Sequence, residues 1–187
     1  MSIKVSIDAS GGDFGFSVTI NAGIKALKTY DDLMVNFVGD KAGIENALNN
    51  NSSYSKFAER INITHASEVI NMSDSPSVAL RHKKDSSMRV AINLVKNGEA
   101  DACVSAGNTG ALMSIARFVL KTIKGVDRPA IMSAVPTLTG PTHVLDLGAN
   151  IDSKPSTLLQ FAIMGSIAVQ NTENIKNPSV GLLNVGS

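Results

Sequence analysis

Apolar residues recur along this chain with two different periods. Short, near-continuous apolar runs lie at 3–8, 33–38, 61–64, 102–105, 130–135, 143–147 and 180–185. Runs of that length and density predict strands covered on both faces. Between them the spacing changes to three and four: Ile20, Gly23, Ile24 and Leu27; Met88, Ala91, Ile92 and Val95; Leu112, Ile115, Ala116, Val119, Leu120 and Ile123; and, more weakly, Leu159, Ala162, Ile163, Ser166 and Ile167. That spacing gathers apolar side chains on one face of a helix. Start signals agree with it: Asp40 stands before 41–48, Asp74 is followed by Pro76, and Ser153 by Pro155.

Alternating strands and helices predict an open, mostly parallel sheet with helices on both faces, an α/β fold. One connection departs from the pattern. Only 136–142 separates the runs at 131–135 and 143–147, too short for a helical crossover, so an antiparallel hairpin is expected there. The 187 residues suit one α/β domain with a sizeable core. We expect a single domain, 1–187, incomplete at its C-terminal end, because 180–187 reads as a strand entering a glycine loop. Residues 49–53, Asn-Asn-Asn-Ser-Ser, read as an exposed loop.

Composition narrows the function classes. Seventeen basic residues against sixteen acidic give a formal charge of +1, with 4% aromatics and no Trp; a nucleic-acid partner is not expected. No apolar run approaches the ~20 residues of a membrane span, and the first residues run straight into a strand rather than reading as a signal peptide. The single cysteine, Cys103, fits a reducing cytoplasm. No Cys/His cluster has zinc spacing, and neither a metal nor a cofactor is expected.

Candidate chemistry sits where strands meet glycine turns. Ser105-Ala106-Gly107-Asn108-Thr109-Gly110-Ala111 follows apolar Ala102, Cys103 and Val104 and opens a long amphipathic stretch, which reads as strand, turn, helix. A helix N-terminus offers unpaired N–H groups and a partial positive charge, and small residues let an anion approach it. The plainer reading is a connector with Asn108 or Thr109 as cap; an anion site is favoured. Asp8-Ala9-Ser10-Gly11-Gly12-Asp13 ends the first strand, on the edge where open α/β sheets gather ligands. Asp8 and Asp13 there can hold loops, polarise a partner or orient a ligand, or simply form a tight turn. No G-x-G-x-x-G follows, against a dinucleotide fingerprint.

In Arg81-His82-Lys83-Lys84-Asp85-Ser86-Ser87-Met88, cations precede a helix expected to start near Asp85 or Ser86. Ser86 or Ser87 can cap it or bind a phosphate oxygen; the alternative is a solvated charge run. Asp146-Leu147-Gly148-Ala149-Asn150-Ile151-Asp152 is another strand entering a glycine loop, either part of a cleft or a capped turn. His65, His82 and His143 have no Ser or Cys partner at a recognisable spacing, and Cys103 reads as core. Arg128 can reach a phosphate or pair with Asp127.

Taken together and in this order, these segments and Asp127-Arg128-Pro129-Ala130 resemble the bacterial phosphate acyltransferases of phospholipid synthesis, the acyl-ACP:phosphate transacylases. The resemblance runs along the whole chain. Ser10 stands where methionine is expected in many relatives, and family members are considerably longer, so the chain looks like the N-terminal half. The resemblance implies a fold similar to the phosphotransacetylases and the isocitrate and isopropylmalate dehydrogenases. It implies transfer of a fatty acyl group from acyl carrier protein to inorganic phosphate, without a cofactor. The acyl phosphate would pass to a membrane glycerol-3-phosphate acyltransferase. A homodimer in the cytoplasm, peripheral at the inner face of the cell membrane, is implied too, although no segment reads as a basic amphipathic helix.

Phosphate is already a nucleophile, so such a reaction needs charge neutralisation, orientation and a stabilised oxyanion. Lys83, Lys84 and Asn108 are the expected catalytic residues. Asp8, Gly11, Gly12, Asp13, Arg81, Ser86, Ser87, Ser105, Gly107, Thr109, Gly110, Asp146 and Asn150 are the expected phosphate- and substrate-binding residues. Two other readings compete: a phosphotransacetylase-like enzyme using acyl-CoA, and a non-catalytic scaffold docking acyl carrier protein on Arg81, Lys83 and Lys84.

Overall fold

Ile3, Val5 and Ile7 alternate with Lys4, Ser6 and Asp8 along β1 (Ile3–Asp8), and the two sets pack on opposite faces of the sheet. Ile7 joins a cluster of Ile20, Ile24 and Leu27 from α1 (Phe16–Thr29) and Ile44 and Leu48 from α2 (Lys41–Asn49). On the other face the Ser6 hydroxyl donates to the Ala91 carbonyl at 2.9 Å, within α4 (Ser87–Lys96). The polar set is the more deeply buried one, because a helix covers each face.

The computed structural model describes residues 2–148, 150 and 152–184. They fall into two units, Met1–Lys121 and Thr122–Ser187. In the first, β1 pairs in parallel with β2 (Leu33–Gly39) and β4 (Ala102–Ser105), and β3 (Ile61–His65) extends the sheet beyond β2, giving the order β3-β2-β1-β4. α3 (Pro76–His82) and α4 pack against α5 (Thr109–Leu120) around Ile70, Ala79, Met88, Ile92, Ala111, Ile115 and Val119. In the second unit β5 (Met132–Thr137) and β6 (Gly140–Leu145) form an antiparallel hairpin beside α6 (Pro155–Thr172). Among the described residues no helix is long and apolar enough to cross a membrane.

The expected α/β architecture and the hairpin are both present, with local differences. β5 and β6 extend toward each other until only Leu138 and Thr139 join them. Pro136 then faces Pro141 across the ladder. That pair neighbours the turn pair, where the alternation of antiparallel ladders calls on neither missing N–H. Residues 180–184 form no strand; Val180, Leu182 and Leu183 are exposed, and no described strand lies beside them. Residue 185 lies outside the described residues. Ser75, not Asp74, caps α3, and Ile123 falls beyond the end of α5.

Gly23 on α1 is where the helix meets the sheet. A Cβ there would sit 2.5 Å from Phe37 Cζ and 2.8 Å from Cε1. At an exposed helical site Gly→Ala stabilises by roughly 0.5–1 kcal/mol. Here overpacking reverses the sign, and Gly23→Ala is expected to lower the unfolding free energy by about 1–3 kcal/mol. Urea unfolding of the full-length protein checks this; a stabilised variant would refute it.

Candidate active site

Parallel pairing sets Asp8 and Ser105 side by side at the carboxyl edge of the sheet. The Ser105 hydroxyl donates to Asp8 Oδ2 at 2.7 Å and accepts the Gly107 N–H of its own turn at 3.1 Å. Asp8 is only 1% exposed, and its Oδ1 has no hydrogen-bond partner among the described residues. Burial disfavours the charged form and pushes the Asp8 carboxyl above the ordinary carboxylate value. The hydroxyls of Ser87 and Ser105 and the Gly11 amide draw it part of the way back, although the nearby Ser87 hydroxyl does not meet Oδ1 in hydrogen-bond geometry.

Glycines close around this carboxyl. A Cβ at Gly11 would overlap Asp8 Oδ2 and stand 3.2 Å from Ser105 Oγ; one at Gly107 would stand 3.0 Å from Met88 Cε. Gly12 has φ +83°, and a Cβ there would meet the Ala106 carbonyl oxygen at 2.8 Å. Both the close approach and the left-handed backbone select glycine. Asp13, next along the loop, is exposed.

Two helices begin beside this cluster. Asn108 caps α5, its Oδ1 accepting the Ala111 N–H at 3.0 Å. Among the described residues the amides of Asn108, Thr109 and Gly110 have no hydrogen-bond partner, and Thr109 is exposed. α5 therefore presents its positive end open to a ligand. α4 does not. Its cap, Ser86, accepts the Arg89 N–H and donates to the Lys83 carbonyl, and Ser86 and Ser87 are both fully buried. Their hydroxyls are sealed from a ligand in this conformation.

The segment 69–74 runs between these elements and is gripped from outside at several atoms. Lys83 Nζ donates to the Val69 carbonyl and to Asp74 Oδ2, both at 2.6 Å. Asn108 Nδ2 donates to the carbonyls of Asn71, Met72 and Asp74 at 3.3, 3.0 and 2.8 Å. The Lys83 bond, then the Asn71 amide, hold the Asp74 carboxyl below the usual value. Upstream, Asp85 Oδ2 accepts the Ser67 N–H and hydroxyl at 2.9 and 2.6 Å. Arg81 and Lys84 are exposed, and neither has an ion-pair partner among the described residues.

In the second unit Asp146 and Asn150 satisfy each other. Asp146 has φ +64°, and its Oδ1 accepts the Asn150 N–H and Nδ2 at 3.1 and 2.9 Å. Asn150 Nδ2 also reaches the Pro129 carbonyl at 3.3 Å.

A family model described as "Fatty acid synthesis protein" matches residues 3–187. The chain belongs to the fatty acid synthesis protein family. It is 65% identical over its whole length to a phosphate acyltransferase of Ruthia magnifica subsp. Calyptogena magnifica, covering 55% of that protein. It is 54% identical over 97% of its length to one from Methylococcus capsulatus, covering 53% of it, and 54% identical over 99% of its length to one from Legionella pneumophila, covering 54%. The chain thus spans about half the length of the curated relatives it matches.

In this family member the site residues expected from sequence divide into groups. Asp8, Gly11, Gly107, Ser87 and Ser105 come together; Lys83 and Asn108 are joined through 69–74; Gly110 lies against Pro76 of α3. Arg81, Lys84, Asp13 and Thr109 remain exposed. Sequence reasoning missed Val69, Asn71 and Met72, which contribute main-chain carbonyls that no motif marks. Asp74 was expected only as a helix start. Burial pushes the Cys103 thiol up to about 11, so at neutral pH it stays a thiol.

The Asp8 shift has a measurable consequence. Its folded value lies above the ordinary 3.8, so between the two values the folded state binds the extra proton and stability falls as pH rises. The unfolding free energy of Asp8→Asn, relative to the parent, is expected to rise as pH increases from about 4 and to level off once Asp8 has ionised. Denaturation across the acid range tests this, and a pH-independent difference would count against it.

Proposed function

We propose that the protein carrying this chain transfers a fatty acyl group from acyl carrier protein to inorganic phosphate, yielding acyl phosphate for phospholipid synthesis. The observation that carries this reading is the N-terminus of α5, where the amides of Asn108, Thr109 and Gly110 have no hydrogen-bond partner among the described residues and Thr109 is exposed. Relatives named phosphate acyltransferase at 54–65% identity support it.

In this reaction a phosphate oxygen attacks the thioester carbonyl carbon. The C–S bond then breaks, the carrier leaves as its thiolate, and the new C–O bond makes the acyl phosphate. No covalent enzyme intermediate is needed. The α5 amides and the Thr109 hydroxyl are donors for the negatively charged oxygens, preorganised by the helix cap. Arg81, on the helix packed against α5, and Lys84 supply positive charge that is in no ion pair among the described residues. Asp8 touches no substrate in this scheme; it holds Ser105, and through it Gly107, in the conformation that opens the turn. The same cations suit an acidic carrier protein. A membrane glycerol-3-phosphate acyltransferase is the proposed recipient of the product. A cytoplasmic homodimer, peripheral at the inner membrane face, is the proposed setting.

Full-length protein given palmitoyl-acyl carrier protein and inorganic phosphate is expected to form acyl phosphate, trapped as the hydroxamate. Replacing Arg81 and Lys84 together by Ala should raise KM for phosphate by about tenfold, while a rise in KM for the carrier alone would make them docking residues. Preference for acetyl-CoA would replace the proposal with a short-chain transacetylase. Absence of acyl phosphate from every donor would refute it.

A further inference from the structure

The segment 69–74 closes on itself at one turn, where the Asp74 N–H donates to the Asn71 carbonyl at 3.1 Å and the Asn71 N–H to Asp74 Oδ2 at 2.8 Å. It contains no helix or strand, and its deeply buried apolar residue is Ile70, 3% exposed, which enters the cluster with Ala111 and Ile115. The rest of its anchorage is polar and comes from Lys83 and Asn108. Asn108 makes this anchorage part of the site. Its Oδ1 caps α5 at Ala111 while its Nδ2 holds the carbonyls of Asn71, Met72 and Asp74. One planar amide therefore sets the position of the segment relative to the open amides of the helix.

The segment turns apolar side chains to solvent at this place. Val69 and Met72 are 43% and 52% exposed, on either side of inward-facing Ile70. Leaving apolar side chains in water is unfavourable relative to burying them, and both belong to backbone whose carbonyls are held by Lys83 and Asn108. The Met72 carbonyl is 3.0 Å from the Asn108 side chain, so the backbone that carries these side chains adjoins the N-terminus of α5. A ligand that combines an anion with an apolar extension matches that juxtaposition, and acyl phosphate is such a ligand.

We infer that residues 69–74 form the acyl-side wall of the site, with Met72 and Val69 contacting the acyl chain, and that Lys83 and Asn108 act on the reaction as positioning residues through this wall. The inference rests on the acyltransferase reading above. It gives Lys83 a role different from that of Lys84: two of its three N–H donors go to Val69 and Asp74, whereas Lys84 is in no ion pair among the described residues.

The test compares kcat/KM of the full-length protein for palmitoyl and butyryl donors on acyl carrier protein, with KM for phosphate measured alongside. Met72→Ser, a change at an exposed side chain, is expected to lower the palmitoyl-to-butyryl ratio by about tenfold, the scale on which apolar pockets discriminate chain length. Lys83→Met is expected to lower the same ratio, and Lys83→Arg, which can still donate to both Val69 and Asp74, to restore most of it. A general loss of structure would depress both donors alike and leave the ratio unchanged. An unchanged ratio in Met72→Ser, in an active enzyme, overturns the inference and leaves the acyltransferase reading standing. So does a Lys83→Met variant whose KM for phosphate rises about tenfold at constant ratio, because Lys83 would then bind the anion itself. A parent protein that makes no acyl phosphate from either donor overturns both.

Discussion

The Asn108 side chain is the joint on which the first unit's carboxyl edge depends. A primary amide has two donors and one good acceptor, and all are engaged: the oxygen closes the first turn of α5, and the nitrogen is shared among three carbonyls of a segment more than thirty residues earlier. Satisfying the cap by a side chain leaves the preceding amides of the helix free, which is what an anion site requires. A hydroxyl cap would have kept the helix start but could offer the distant segment only one O–H, where the amide nitrogen reaches three carbonyls.

Polarity beneath that edge follows a different rule. Ser6 and Asp8 lie under a helix on a sheet covered from both sides, so each polar group needs a partner within the protein. Ser6 has two carbonyls, from Ala91 and Ala102. Asp8 has Ser105 on one oxygen and, among the described residues, no hydrogen bond on the other, and its burial holds the carboxyl above the ordinary value. Around it glycine is required by lack of space at Gly11, where a Cβ would run into the carboxylate.

Much of this was legible in the chain. Helix and strand periods located the elements because burial on two faces leaves long apolar runs, and the turn at 105–111 announced a capped helix after a strand. Partnership was not legible. Lys83 and Lys84 are adjacent and chemically identical, yet one is bound to Val69 and Asp74 while the other is exposed; what separates them is the end of α3, which aims only Lys83 at the segment. Val104 reads as core but is half exposed because β4 is an outer strand of the sheet. Among the described residues no strand pairs with the apolar run at 180–184. Nor does the motif reveal that Asp146 and Asn150, expected to bind substrate, hydrogen-bond to each other.

The grip on 69–74 is directed at carbonyl oxygens rather than at side chains, apart from the single carboxylate of Asp74. Every amino acid supplies the same carbonyl. Val69, Asn71 and Met72 are therefore free to drift in evolution, or to be randomised in the laboratory, without loosening the framework that presents them. The architecture separates what must be kept from what can be varied, so the surface beside α5 can be reshaped one residue at a time while the helix end beside it stays where it is.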